Sequence, residues 1–119
     1  MAGGAILIVE GEYLIRTHAA EVINQAGYEA VEAANADLAL AILESRSDIR
    51  VVFLDIHMAG QIDGLKLAHA ITHRWPRIQI IATGYGIQEG ELPAGAVFLW
   101  KPYTPETVAG TLHTLTAAQ

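Results

Sequence analysis

Short apolar runs alternate with longer stretches of helical period along this chain, and that alternation constrains its fold more than any other feature. The runs lie at residues 5–9, 28–33, 51–54, 78–82 and 96–100. Most are continuously apolar, as expected of parallel strands covered by helices on both faces. Between the first two, Ile15, Ala19, Val22, Ile23 and Ala26 recur at helical spacing before Gly27 supplies a C-terminal stop. The same reasoning predicts helices over 35–44, 63–74 and 104–116, the last opened by Thr104 as cap and Pro105 at the first helical position. Five β–α units result, with one irregularity. Gly84, Gly86, Gly90 and Gly95, together with Pro93, leave little room for a stable fourth helix, so one turn or a mobile loop is expected there.

A chain of 119 residues with 52% hydrophobic content buries enough surface for a core without disulfides or a structural metal. The absence of cysteine excludes disulfide scaffolds, thiolate zinc sites and thiol nucleophiles. A net charge of −6, with seven cations scattered along the sequence, argues against a nucleic-acid surface. The first apolar run has no cationic flank and stops at Glu10, which excludes a signal peptide or membrane span there. No repeat or compositional shift divides the chain, so residues 1–119 are expected to form one domain without an output domain.

In an open parallel sheet, ligands bind beyond the carboxyl ends of the strands, where strand order reverses. Glu10-Gly11-Glu12 follows the first run, Asp55 closes the third, Thr83-Gly84 the fourth and Lys101-Pro102 the fifth. Singly, an Asp or Thr at such a position is an ordinary turn-maker. Jointly, they place two carboxylates, a hydroxyl and an ammonium on one edge.

These residues resemble the receiver domain of bacterial two-component response regulators over about Ala5 to Leu115. The resemblance rests on Ile-Leu-Ile-Val-Glu10, on Val-Phe-Leu-Asp55-Ile-His-Met with Asp63-Gly64-Leu65, on Ala82-Thr83-Gly84, and on Lys101-Pro102-Tyr103. It implies an α/β, doubly wound, flavodoxin-like fold with a five-stranded parallel sheet in the order 2-1-3-4-5. It further implies that Asp55 is the phosphoacceptor, Thr83 the hydroxyl that follows the phosphoryl group and Lys101 the phosphate-pairing cation, with a cis Lys101–Pro102 bond. Mg2+ would be held by Glu10, Asp55 and the backbone carbonyl of His57, in keeping with its preference for hard oxygen ligands. Gly11 stands where most members carry a second acidic ligand, which leaves two readings: weakened Mg2+ binding, or a rearranged site in which the longer Glu10 reaches the metal. Glu12 is expected to begin a helix and to interact with its dipole.

Ile81-Ala82-Thr83-Gly84-Tyr85-Gly86 is similar to the FAT-GUY subgroup of receivers, with Ile81 in place of the leading Phe. Gly84 and Tyr85 then belong to a switch loop, and Phe98 occupies the family's switch-aromatic position while lacking its hydroxyl; a plain core aromatic is the competing reading. The resemblance implies a cytoplasmic protein that meets a histidine kinase or histidine phosphotransfer protein through the first helix and the loop after Lys101, making Leu14, Pro102 and Tyr103 candidate contacts. His57 would border the site or sit in an exposed loop, and His69 and His73 share a solvated helix face with Lys66. Two rivals remain: a receiver-like binding module independent of phosphorylation, suggested by Gly11, and an aspartate-based phosphohydrolase. The second would ordinarily carry another Asp at the position of His57.

Overall fold

The computed structural model describes residues 4–57, 63–87 and 90–117. Its elements run β1 (Ala5–Val9), α1 (Tyr13–Gln25), β2 (Glu29–Ala33), α2 (Ala36–Ser45), β3 (Ile49–Asp55), α3 (Gly64–Arg74), β4 (Gln79–Gly84), β5 (Val97–Trp100) and α4 (Pro105–Ala117). All pairings are parallel, and the strands lie in the order β2-β1-β3-β4-β5. This is the flavodoxin-like order that the resemblance implied.

Each strand's side chains alternate between two cores. Leu7, Val9, Val52, Leu54, Ile80 and Ala82 face α2 and α3, where Leu43, Leu67 and Ile71 meet them. Ile6, Ile8, Val51, Phe53 and Ile81 face α1 and α4, against Val22, Ile23, Val108 and Leu112. The central strands β1 and β3 are buried almost throughout, whereas the edge strands β2 and β5 are partly exposed. Continuous apolarity therefore marks the middle of the sheet and fades at its edges.

Local signals set the helix starts. Asn35 caps α2 by accepting from the Leu38 amide, and Asp63 caps α3 by accepting from the Lys66 amide. Thr104 accepts from the Thr107 amide ahead of Pro105. Glu12 stands at the start of α1, as expected, as its N-cap residue, and its side chain makes no capping bond. Among the described residues between β4 and β5 there is no helix, as the glycine content predicted. The segment is instead tied down at His57, whose Nε2 lies 2.9 Å from the Tyr85 carbonyl oxygen, and at His69, whose Nε2 lies 2.8 Å from that of Glu91.

Candidate functional site

Strand parity builds the site. Asp55 follows Val51 and Phe53 on the α1/α4 face of β3, and Thr83 follows Ile81 on the same face of β4; the two are partners in register. Glu10 and Lys101 extend the same edge immediately beyond β1 and β5. The Glu10 amide donates to the Ala33 carbonyl, and the Lys101 amide to that of Gly84, fixing both residues at the sheet's end.

Asp55 is 7% exposed, Glu10 7% and Thr83 2%, which makes them the buried polar residues of the described chain. Lys101 Nζ donates to Asp55 Oδ2 at 3.0 Å, and the His57 amide donates to Asp55 Oδ1 at 2.9 Å. Thr83 Oγ1 donates to the Leu54 carbonyl at 3.3 Å. The Glu12 amide donates to Glu10 Oε2 at 3.0 Å. Glu12 thus contributes to the site through its backbone amide. The Lys101–Pro102 bond is cis, as expected.

The two carboxyl groups lie close enough to act on one another. Burial pushes the Glu10 carboxyl above its ordinary range, the Asp55 charge pushes it further, and the Glu12 amide and Lys101 oppose this only in part. Burial also works against ionisation of Asp55, but the His57 amide and the Lys101 ammonium outweigh it and hold that carboxyl below the usual range. Asp55 is therefore the more readily ionised of the two, available as an oxygen nucleophile.

Two buried carboxylates that repel one another suit a hard divalent cation, and Mg2+ commonly takes only one or two protein carboxylates, with phosphate and water completing its shell. Among the described residues, no group of three or more His, Asp or Glu side chains forms a fuller cage. The residues fit Mg2+ with two side-chain ligands. Gly11 is exposed, and a Cβ there would meet only the Ala34 carbonyl, at 3.7 Å, so no packing constraint requires glycine at this position.

Other candidates separate. The His57 ring is exposed and turned to the segment after β4, with its centroid 4.8 Å from that of Tyr85. Leu14 and Pro102 are exposed, as a docking surface requires. Tyr103 is half-buried edge-on against Phe53, with centroids 5.6 Å apart; burial, together with the charges of Glu10 and Asp55, pushes its phenol up. It belongs to the wall of the site more than to an open surface. Phe98 is half-buried and packs edge-on against Trp100. Gly84 has φ +153°, and a Cβ would come within 2.6 Å of the Ile56 side chain, so close packing explains the glycine better than loop freedom does.

Two residues escaped the sequence reading. Arg16 donates to the Glu10 carbonyl at 2.9 Å and to Glu32 Oε1 at 3.2 Å, bracing the acidic loop against β2. No pattern within its own segment signals this contact. Gly64 lets α3 begin against the end of β3, because a Cβ there would lie 2.4 Å from the Asp55 carbonyl oxygen.

With this geometry established, comparison is decisive. The response regulator receiver domain family matches residues 6–111. The chain belongs to that family. It is 35% identical over 107 residues to the nitrogen assimilation regulatory protein NtrX of Azorhizobium caulinodans, covering 85% of this chain and 23% of that protein. The crystal structure of NtrX from Brucella abortus superposes with a TM-score of 0.87 at 31% identity, over 99% of this chain and 27% of that one. A receiver domain from Clostridium thermocellum shares the fold, with a TM-score of 0.88 at 22% identity over 99% and 96% of the two chains. The receiver thus spans about a quarter of the length of NtrX. Receiver domains are signalling domains, their partners are generally histidine kinases or phosphotransfer proteins, and the family generally binds Mg2+. No described helix is long and apolar enough to cross a membrane.

Proposed function

We propose that this receiver accepts a phosphoryl group on Asp55 from a phosphohistidine of a kinase or phosphotransfer protein and signals through an altered protein-binding surface. The observation that carries the reading is the ionised, buried Asp55 held by Lys101 Nζ at 3.0 Å. One Asp55 oxygen attacks phosphorus, the P–N bond breaks, and its electron pair stays on the partner's imidazole nitrogen, which takes up a proton. Lys101, already at Asp55, offsets charge on the transferring oxygens. Thr83 exchanges its long bond to the Leu54 carbonyl for one to a phosphoryl oxygen. Bound Mg2+, held by Glu10, Asp55 and the His57 carbonyl, would supply further neutralisation at the phosphoryl oxygens.

On this reading the receiver acts in the cytoplasm, its output carried by protein contacts at Leu14, Pro102 and the segment after Thr83. Gly11 motivates the alternative, a module whose contacts do not depend on phosphorylation. Incubation with acetyl phosphate and Mg2+ followed by intact mass measurement separates the two. One phosphoryl adduct is expected, lost in Asp55→Ala; an unmodified wild-type chain would favour the alternative.

A further inference from the structure

The sequence scatters its seven cations, but the fold gathers four of them. Arg46, Arg50, Arg74 and Arg77 line one open groove of about 930 Å³ at the end of the sheet opposite Asp55, with Glu44 the lone acid among the lining residues. Leu43, Ile49 and Ile78 supply apolar lining, and Trp75 stands beside them half-buried with the Arg74 guanidinium 4.4 Å from its ring centroid. In a chain of net charge −6 this is a local reversal of sign.

Part of that charge has a structural use. Arg46 caps the C-terminus of α2 and Arg74 occupies the last turn of α3, where cations complement the helix dipole. Arg50, on β3, reaches the last turn of α4, whereas Arg77, in the turn before β4, serves no helix end. Arg46 is engaged by Asp48 and Glu29, and Arg50 donates to the Thr116 carbonyl. Arg74 pairs with Glu44 at 2.8 Å, but both side chains are about half exposed, and such pairs exchange readily for a better anion. Arg77 is exposed and forms no ion pair among the described residues.

We propose that this groove binds a small phosphorylated molecule carrying a planar ring, the chemistry of a nucleotide. The ring would lie on the apolar lining by Trp75, and the phosphate would take Arg77 and, displacing Glu44, Arg74. A groove of this size is within the range of small-molecule sites, and guanidinium groups bind phosphate in forked pairs. The site is separate from the phosphoacceptor edge and does not rest on Asp55 chemistry.

The test uses the full chain with Trp100→Phe, which leaves Trp75 as the sole tryptophan. With EDTA present to exclude binding through a metal at the acidic edge, adenosine monophosphate is titrated against Trp75 fluorescence and, independently, by calorimetry. Saturable binding is expected, weakened about tenfold in Arg77→Ala and in Arg74→Ala, while inorganic phosphate alone binds about tenfold more weakly than the nucleotide. Thermal melts of both variants would show them folded. No saturable binding by either method, or wild-type affinity in both variants, overturns the proposal. A glutamate-rich peptide that binds more tightly than the nucleotide would also overturn it, assigning the groove to an acidic protein segment.

Discussion

Glu10 and Asp55 share one buried corner, and their opposite pKa shifts fix how stability should depend on pH. A carboxyl whose folded pKa is raised costs stability once it must ionise, so the penalty at Glu10 is absent below the ordinary carboxylate range and grows as pH rises through its folded value. Asp55, held low, contributes stability above the ordinary range and loses it as pH falls through its own folded value. In metal-free buffer, Glu10→Gln should therefore melt a few degrees above wild type at pH 7.5, and the gap should close toward pH 4. A gap that widens with acid would mean that ionised Glu10 is stabilised. Gly11→Asp tests the other half of the corner. The position is exposed and has room for a side chain, and a third carboxylate would add charge at the proposed Mg2+ site. Mg2+ affinity, followed by fluorescence of Trp100 beside Lys101, should rise about tenfold, the scale of one added charged ligand. Equal affinities would show that Glu10 already makes up for the missing acid.

At the level of elements, the strands and helices were legible because their signals are local. Asn35, Asp63 and Thr104 act within their own helices, and the five apolar runs fall on the five strands with shifts of one or two residues at their ends. What could not be read were contacts made across the fold. Neither Arg16 on Glu10 nor His69 on Glu91 has a signature in its own segment, and both depend on how a helix lies against a loop. The segment after β4 shows the difference in energetic terms. Glycines make it costly to order, and its tethers include bonds from His57 and His69, with Ile87 and Leu92 packed on the core. Phosphorylation of Asp55, or a beryllofluoride mimic, should draw Thr83 from the Leu54 carbonyl and order the backbone that follows. Hydrogen exchange should slow at residues 84–87 and 90–96 while the sheet is unchanged, and Thr83→Ala should remove the slowing yet still accept the phosphoryl group. Exchange that is already slow in the unmodified protein would defeat this and return the switch role to Phe98.

Across the whole molecule, the candidate site was legible as four strand-end residues, and strand parity explains why they converge: Asp55 and Thr83 continue the α1/α4 face of their strands. The charge distribution was not legible, because two arginine pairs, Arg46 with Arg50 and Arg74 with Arg77, meet only after α2, β3, α3 and β4 stack. That distribution bears on phosphorylation by small donors. The molecule measures 36 × 31 × 27 Å, while the screening length is about 30 Å at 0.01 M salt and about 10 Å at 0.1 M. In dilute salt an anionic donor such as acetyl phosphate therefore feels the net charge of −6 over the whole domain and is repelled. At higher salt it feels mainly the nearby groups, where Lys101 and bound Mg2+ offset Asp55 and Glu10. With Mg2+ held saturating, the rate of Asp55 modification should rise several-fold as potassium chloride is raised over that interval. A neutral phosphodonor of similar size should show a much flatter response. A rate that falls with salt for the anionic donor would mean that the cations beside Asp55 dominate its approach even in dilute buffer, and that the domain's net charge does not reach the site.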